Sequence, residues 1–187
     1  MTHFEIYETP ISGLGLLERY AIQDDRGFFE RVFCQSSLEA ILHGKAVRQV
    51  NRTLSLERGT LRGMHFQYPP HAEVKLVSCV RGEAFDVAVD LRDGSPTFLQ
   101  WHGEVLSESN HRTMVIPEGF AHGFQTLTAN CEMLYFHTAE YRAESEGGMN
   151  ATDPKVGIDW PRRVSTRSER DAGQAMLSDD FTGLKLT

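Results

Sequence analysis

Two stretches of the chain concentrate side chains able to move protons or hold ions. The first runs through Gln49-Val-Asn51, Thr60-Leu-Arg-Gly-Met-His-Phe-Gln67 and Glu73-Val-Lys75; the second is Pro117-Glu-Gly-Phe-Ala-His-Gly-Phe124. In an extended chain side chains alternate between faces. Gln49 and Asn51 then share one face, Gly63, His65 and Gln67 a second, and Glu73, Lys75 and Val77 a third. One polar face alone would read as the wet side of an antiparallel sheet, but three in succession predict a polar pocket inside a barrel. Two chemistries suit that pocket. His65, Glu73 and His122, two imidazoles and a carboxylate, can form an open Zn²⁺ or Fe²⁺ site. Lys75 is predicted to enter the same pocket, where its ammonium would repel a dication and could do a metal's electrostatic work itself.

The elements that must position these groups are short strands. Val74–Val80, Ala84–Leu91, Thr97–Leu106 and Thr113–Ile116 are rich in β-branched or aromatic residues and are separated by Gly, Pro or Asn. Ala84–Leu91 alternates cleanly, with Phe85, Val87, Val89 and Leu91 on one face and Asp86, Ala88 and Asp90 on the other. Pro117 and Gly119 turn the chain directly after Ile116 and aim His122 back at the sheet. Strands recurring every 8–12 residues or so indicate a sandwich or barrel. One early segment reads as a helix packed on the sheet. Ser36-Ser-Leu-Glu39 can form a capping box, Leu38, Ile41 and Leu42 share a face, and Gly44 can supply a left-handed stop. From about residue 160 to 187 an ordered loop with a short helix is expected, and its Ser168-Glu-Arg-Asp171 stretch is a candidate functional segment.

Composition bounds the function. The chain has 187 residues, 40% of them hydrophobic, with no repeat or linker, so residues 1–187 are expected to form a single domain. Nineteen basic residues against 26 acidic ones give a net charge of −7, with a pI near 5.6. That balance argues against broad nucleic-acid binding, which needs a basic face; an anionic partner would have to be held by local arginines. Three cysteines, Cys34, Cys79 and Cys131, cannot all pair and lack metal-type spacing, which favours a reduced cytoplasm. No apolar run is long enough to span a membrane, and Met1-Thr-His-Phe-Glu lacks the pattern of a signal peptide.

The Pro-x-Gly-x-x-His spacing of Pro117 to His122, coming after His65 and Glu73, resembles the second motif of the cupin superfamily of antiparallel jelly-roll barrels. Metal-binding members carry His-x-His in the first motif; here Gln67 replaces the second histidine. A sharper resemblance comes from seven ordered motifs. They are Asp25-Arg-Gly-Phe-Phe29, Gln49-x-Asn51, Leu61-Arg-Gly-Met-His-Phe-Gln67, Lys75-Leu-Val, the run from Asp86 to Thr97, Ile116-Pro-Glu-Gly-Phe-Ala-His-Gly-Phe124 and Trp160-Pro161. Between about Phe4 and Asp171 the chain is similar to the dTDP-4-dehydrorhamnose 3,5-epimerase family.

That resemblance implies a cupin-type jelly-roll homodimer that needs no metal or other cofactor. It would act on a dTDP-linked or other nucleotide-linked 4-keto-6-deoxy sugar, with no nucleic-acid or membrane partner. It also implies residue roles. His65 would be the general base, Asp171 the carboxylate that orients it, and Tyr135 the opposing acid, on the strand parity of His137 and Tyr141. Lys75 would stabilise the enolate. Substrate binding would fall to Arg26, Phe29, Arg31, Gln49, Asn51, Arg62, His122, Glu146 and Arg170, with one or two of these reaching the neighbouring subunit's site. The match departs at Arg31, where many members carry a glutamate that helps recognise the nucleotide, and at Phe66 and Phe136, where Tyr and Lys are common. The same base, acid and cation would also serve an enzyme acting at carbon 3 or carbon 5 only, or a ketoisomerase. A cupin that binds the sugar nucleotide without chemistry would keep the pocket, and a metal-dependent cupin oxygenase is the rival that a chelator would expose.

Overall fold

The computed structural model describes residues 3–186, which form antiparallel sheets with little helix. Phe4–Glu8 (β1), Gly15–Arg19 (β2), Gln49–Ser55 (β5), Lys75–Arg81 (β7), Arg112–Ile116 (β10) and Cys131–His137 (β12) make a six-stranded sheet in the order β1-β2-β10-β7-β12-β5. Leu61–Gln67 (β6), Glu83–Asp90 (β8), Trp101–Ser107 (β9), Phe120–Thr126 (β11) and Glu146–Gly148 (β13) make a second sheet in the order β13-β6-β11-β8-β9. Ala21–Asp24 (β3) and Gly27–Glu30 (β4) pair only with each other, as a separate hairpin. The architecture is the expected cupin-type jelly roll. Gly82, with φ +74°, turns the chain from β7 in one sheet to β8 in the other, a conformation that L side chains rarely adopt.

Both faces of each sheet find hydrocarbon partners. Val77, Cys79, Ala84, Ala88, Met114, Phe124 and Met133 pack between the sheets. The opposite parity of β8, Val87 and Val89, packs outward beneath Met149, Ala151, Val156 and Leu184 of the C-terminal segment. On the outside of the larger sheet, Leu17, Leu76, Val115 and Phe136 meet Leu38 and Leu42. At roughly 25 cal/mol per Å² of apolar area, covering these outer faces adds to the stabilisation that filling the barrel supplies.

Two local expectations are corrected. The helix, Gln35–Leu38 (α1), starts earlier than the capping box requires: its N-cap is Cys34, with no side-chain cap, so Ser36 lies within the first turn and its hydroxyl sits 3.4 Å from Cys34 Sγ. Gly44 is left-handed as expected, with φ +73°. The strand expected from Thr97 begins only at Trp101. Buried Asp90 gathers Ser95 Oγ (2.5 Å), Thr97 Oγ1 (2.7 Å) and Arg92 (2.7 Å) into a turn, because side-chain hydrogen bonds compete with the strand ladder.

Candidate active site

The inward parity that packs Val77, Cys79 and Met133 continues along the same strands into polar groups: Lys75 precedes Val77 on β7, and Tyr135 and His137 follow Met133 on β12. The space they line is a cavity of about 690 Å³, the size of a small-ligand site. Gln49, Asn51 and Thr53 of β5 face it, as do Arg62 and His65 of β6 and His122 of β11, and residues 166–171 close one side.

His65 and Tyr135 stand on opposite sheets, so they form opposing walls. His65 is placed by β6, where it lies in register with His122. Its Nε2 is 2.8 Å from Asp171 Oδ1, and Nδ1 is the nitrogen that this pair leaves for other work. Asp171 lies in the short helix Glu169–Ala172 (α2), whose N-cap Ser168 accepts a hydrogen bond from the Asp171 N–H at 3.0 Å. Its second oxygen accepts from the Gly63 N–H at 3.0 Å. Burial alone would push the Asp171 carboxyl up, but the bonds from His65 and Gly63 outweigh it and hold the group below the ordinary carboxylate range. A fixed carboxylate on Nε2 sets the tautomer and leaves the Nδ1 lone pair free to accept a proton.

The Tyr135 ring packs among Cys131 and Met133, yet its hydroxyl reaches Thr53 Oγ1 at 3.2 Å at the cavity wall. Burial pushes this phenol well above its usual range, so it holds its proton at neutral pH. Lys75 is buried; its Nζ is 3.2 Å from Glu73 Oε1 and 3.4 Å from the His65 carbonyl. His122 donates to or accepts from Asp86 Oδ1 at 2.7 Å, and burial raises the Asp86 carboxyl.

Of the three residues that could have held a metal, Glu73 is taken up by His137 and Lys75, while His65 and His122 each hold a carboxylate, Asp171 and Asp86, on one ring nitrogen. Among the described residues no group of three or more His, Cys, Asp or Glu side chains converges as a metal site.

Ten of the thirteen expected site residues line the cavity: His65, Tyr135, Asp171, Lys75, Gln49, Asn51, Arg62, His122, Glu146 and Arg170. Arg62 donates to Ser55 Oγ at 3.0 Å, and Arg170 pairs with Glu146. Arg26, Phe29 and Arg31 do not line it. They sit on or just after the β3–β4 hairpin, with Arg26 held by Asp24 at its tip. The sequence reading passed over Thr53, which continues the parity of Gln49 and Asn51, and Arg167, one helical turn before Asp171, whose Nη2 donates to the Asp171 carbonyl at 2.8 Å. It gave His137 and Tyr141 a parity but no role; both line the cavity.

A jelly roll that sets an imidazole–carboxylate pair against a phenol across one ligand-sized cavity belongs to the cupin-type isomerases, enzymes that move protons. The family model described as dTDP-4-dehydrorhamnose 3,5-epimerase matches residues 8–179. A dTDP-4-dehydrorhamnose 3,5-epimerase of Escherichia coli K12 is 42% identical over 186 residues, covering 97% of this chain and 98% of that one. Among solved structures, an epimerase from Legionella pneumophila in complex with dTDP-4-keto-L-rhamnose superposes with a TM-score of 0.88 at 41% identity, over 93% of each chain. A 3'-monoepimerase from Streptomyces bikiniensis in complex with dTDP-quinovose gives 0.83 at 32% identity, over 90% of this chain and 85% of that one. The chain belongs to the dTDP-4-dehydrorhamnose 3,5-epimerase family.

Proposed function

We propose that the protein converts dTDP-4-dehydro-6-deoxy-D-glucose to dTDP-4-dehydro-L-rhamnose by inverting carbons 3 and 5. The observation that carries the assignment of roles is the placement of His65 and Tyr135 on facing sheets, with Lys75 on β7, the strand beside that of Tyr135, and all three lining one cavity. His65 Nδ1 removes the proton next to the C4 ketone, and the C–H electron pair moves into a carbon–carbon double bond as charge builds on the ketone oxygen. The Lys75 ammonium stabilises that enolate. Tyr135 delivers a proton to the other face of the carbon, and the ketone re-forms. Proton exchange with solvent returns His65 to its neutral form and Tyr135 to its phenol, and the cycle then repeats at the second carbon with no net change in atoms or electrons. A phenol that burial keeps protonated suits the donor's part. Arg62 and Arg170 hold the diphosphate through planar forks. The active form is a homodimer, in which Arg26, Phe29 and Arg31 of a second copy complete the nucleotide end. This accounts for their distance from the chain's own cavity and for the exposure of Phe28 (61%) and Phe29 (62%).

The test is solvent deuterium exchange into the dTDP-linked 4-keto sugar. Wild-type protein should label carbons 3 and 5, in the presence of EDTA as in its absence. His65→Ala should abolish labelling at both carbons, and Tyr135→Phe should depress product more than label uptake. Labelling at one carbon only would make the enzyme a mono-epimerase, and an unchanged rate in His65→Ala would remove His65 as the base.

A further inference from the structure

Behind the proposed enolate stabiliser lies a group of charges with no assigned part. A lysine ammonium has three N–H donors. Lys75 directs one at Glu73 Oε1 (3.2 Å) and one at the His65 carbonyl (3.4 Å), leaving one for the cavity. The other carboxylate oxygen of Glu73 is 3.0 Å from His137 Nδ1. The His137 ring in turn stacks on Tyr135, with centroids 6.1 Å apart at 21°, and its Nε2 lies 3.5 Å from Asn51 Nδ2. All three side chains are nearly closed off, at 10% exposure for Lys75, 7% for Glu73 and 13% for His137.

We propose that Glu73 and His137 are positioning residues, a carboxylate–imidazole brace that keeps the Lys75 ammonium charged and points its free N–H into the cavity. The proposal rests on the reading of Lys75 given above. An ammonium this buried sheds its proton unless a carboxylate compensates for lost hydration. The groups facing Lys75 are few. β6 supplies His65, with Arg62 further toward the mouth; β11 supplies His122; β12 supplies Tyr135 and His137; and β10, paired along the other edge of β7, sets Ile116 opposite Lys75. Asp86 on β8 feels the ammonium, but His122 binds it and burial drives it toward its neutral form. Glu73 is the carboxylate that Lys75 touches among the described residues. Burial opposes its ionisation, yet His137 and Lys75 together outweigh burial and hold it below the usual range. His137 also keeps one carboxylate oxygen occupied, so Glu73 cannot turn both onto the ammonium and cancel the field the enolate needs. His137 rests on Tyr135 within β12, and the Lys75 contact with the His65 carbonyl links this brace to the opposite wall.

The experiment follows Lys75 directly, by ¹³Cε-lysine NMR titration of the full-length protein, assigned with Lys75→Arg, alongside pH profiles of exchange. Glu73→Gln should lower the Lys75 titration midpoint by about one unit or more, equivalent to about tenfold weaker proton binding. The basic limb of kcat should move down with it, while KM changes less than about threefold. His137→Leu should lower kcat on the order of tenfold, and His137→Asn, which keeps a donor toward Glu73, should recover part of the loss. A Lys75 midpoint unmoved in folded Glu73→Gln overturns the brace, as does a His137→Leu enzyme whose kcat and pH profile match wild type. A shifted midpoint combined with wild-type exchange in Lys75→Met supports the brace and sinks the assignment of Lys75 to the enolate instead.

Discussion

Asp171 does two jobs with one carboxylate: Oδ1 meets His65, and Oδ2 caps the Gly63 N–H. Its lowered titration point makes it a stability element as well as an orienting one. A carboxyl whose native value lies below its unfolded value of about 3.9 contributes in full above that value, and the contribution vanishes as pH falls through the native one. Asp171→Asn should therefore show its largest drop in melting temperature near neutral pH, with the gap to wild type closing under acid conditions; a gap that stays constant with pH would contradict this. The amide also presents a donor to Nε2 and favours the tautomer with the proton on Nδ1, which removes the base. Exchange should fall roughly 10²–10⁴-fold, the usual worth of general-base catalysis. Cys79 and Cys131 sit 3.8 Å apart as free thiols in the hydrocarbon core.

At the scale of elements, the close approach of β6 and β11 matters most, because it sets His65 against His122. Gly63 has φ +109°, and a Cβ there would come within 2.6 Å of Gly123 Cα and 2.7 Å of the His122 carbonyl oxygen. Both obstacles are backbone, so neither can swing away. The register shifts between His122 and Phe124 at the same place, an irregularity of the kind that re-aims side chains. Gly63→Ala should cost about 2–4 kcal/mol through positive-φ strain and the displaced strand. The loss would be read as a lower urea midpoint, and exchange should fall by more than the unfolded fraction explains. A melting curve identical to wild type would mean the two strands can separate freely. The helix α2 works on a smaller scale. Four residues have little stability of their own, so the Ser168 cap and the pairing of Asp171 with His65 hold each other in place.

For the whole molecule, the β3–β4 hairpin is the part that the barrel does not use. Its base is anchored firmly: Glu30 meets buried Arg19 at 2.5 Å and His111 at 3.1 Å, and Arg19 continues to Ser78 at 2.8 Å. Its outer half presents Ile22, Phe28 and Phe29 to solvent. Apolar groups held out on a well-anchored arm fit a surface meant to be covered by a second copy. Sedimentation should give twice the 21.1 kDa chain mass, and Phe28→Asp with Phe29→Asp should shift the protein toward single chains and weaken nucleotide-sugar binding. A wild-type protein that sediments as one chain would end the homodimer proposal.

Much of this was legible in the linear chain. Period-two alternation in Ala84–Leu91 marked a strand, the Pro117–His122 turn marked the return of a histidine to the sheet, and the ordered motifs marked the family. Those signals are local, set by backbone geometry within a few residues. What the chain order could not carry was pairing across distance. The sequence could propose Glu73 as a metal ligand because it cannot show that His137, 64 residues later, occupies the same carboxylate. It could put Arg26, Phe29 and Arg31 in a binding set without showing that a hairpin carries them away from their own cavity. Strand spacing tells which way a side chain points; only the packing of one sheet against another decides what it meets there, because hydrogen bonds and desolvation act through space, with no regard for separation along the chain.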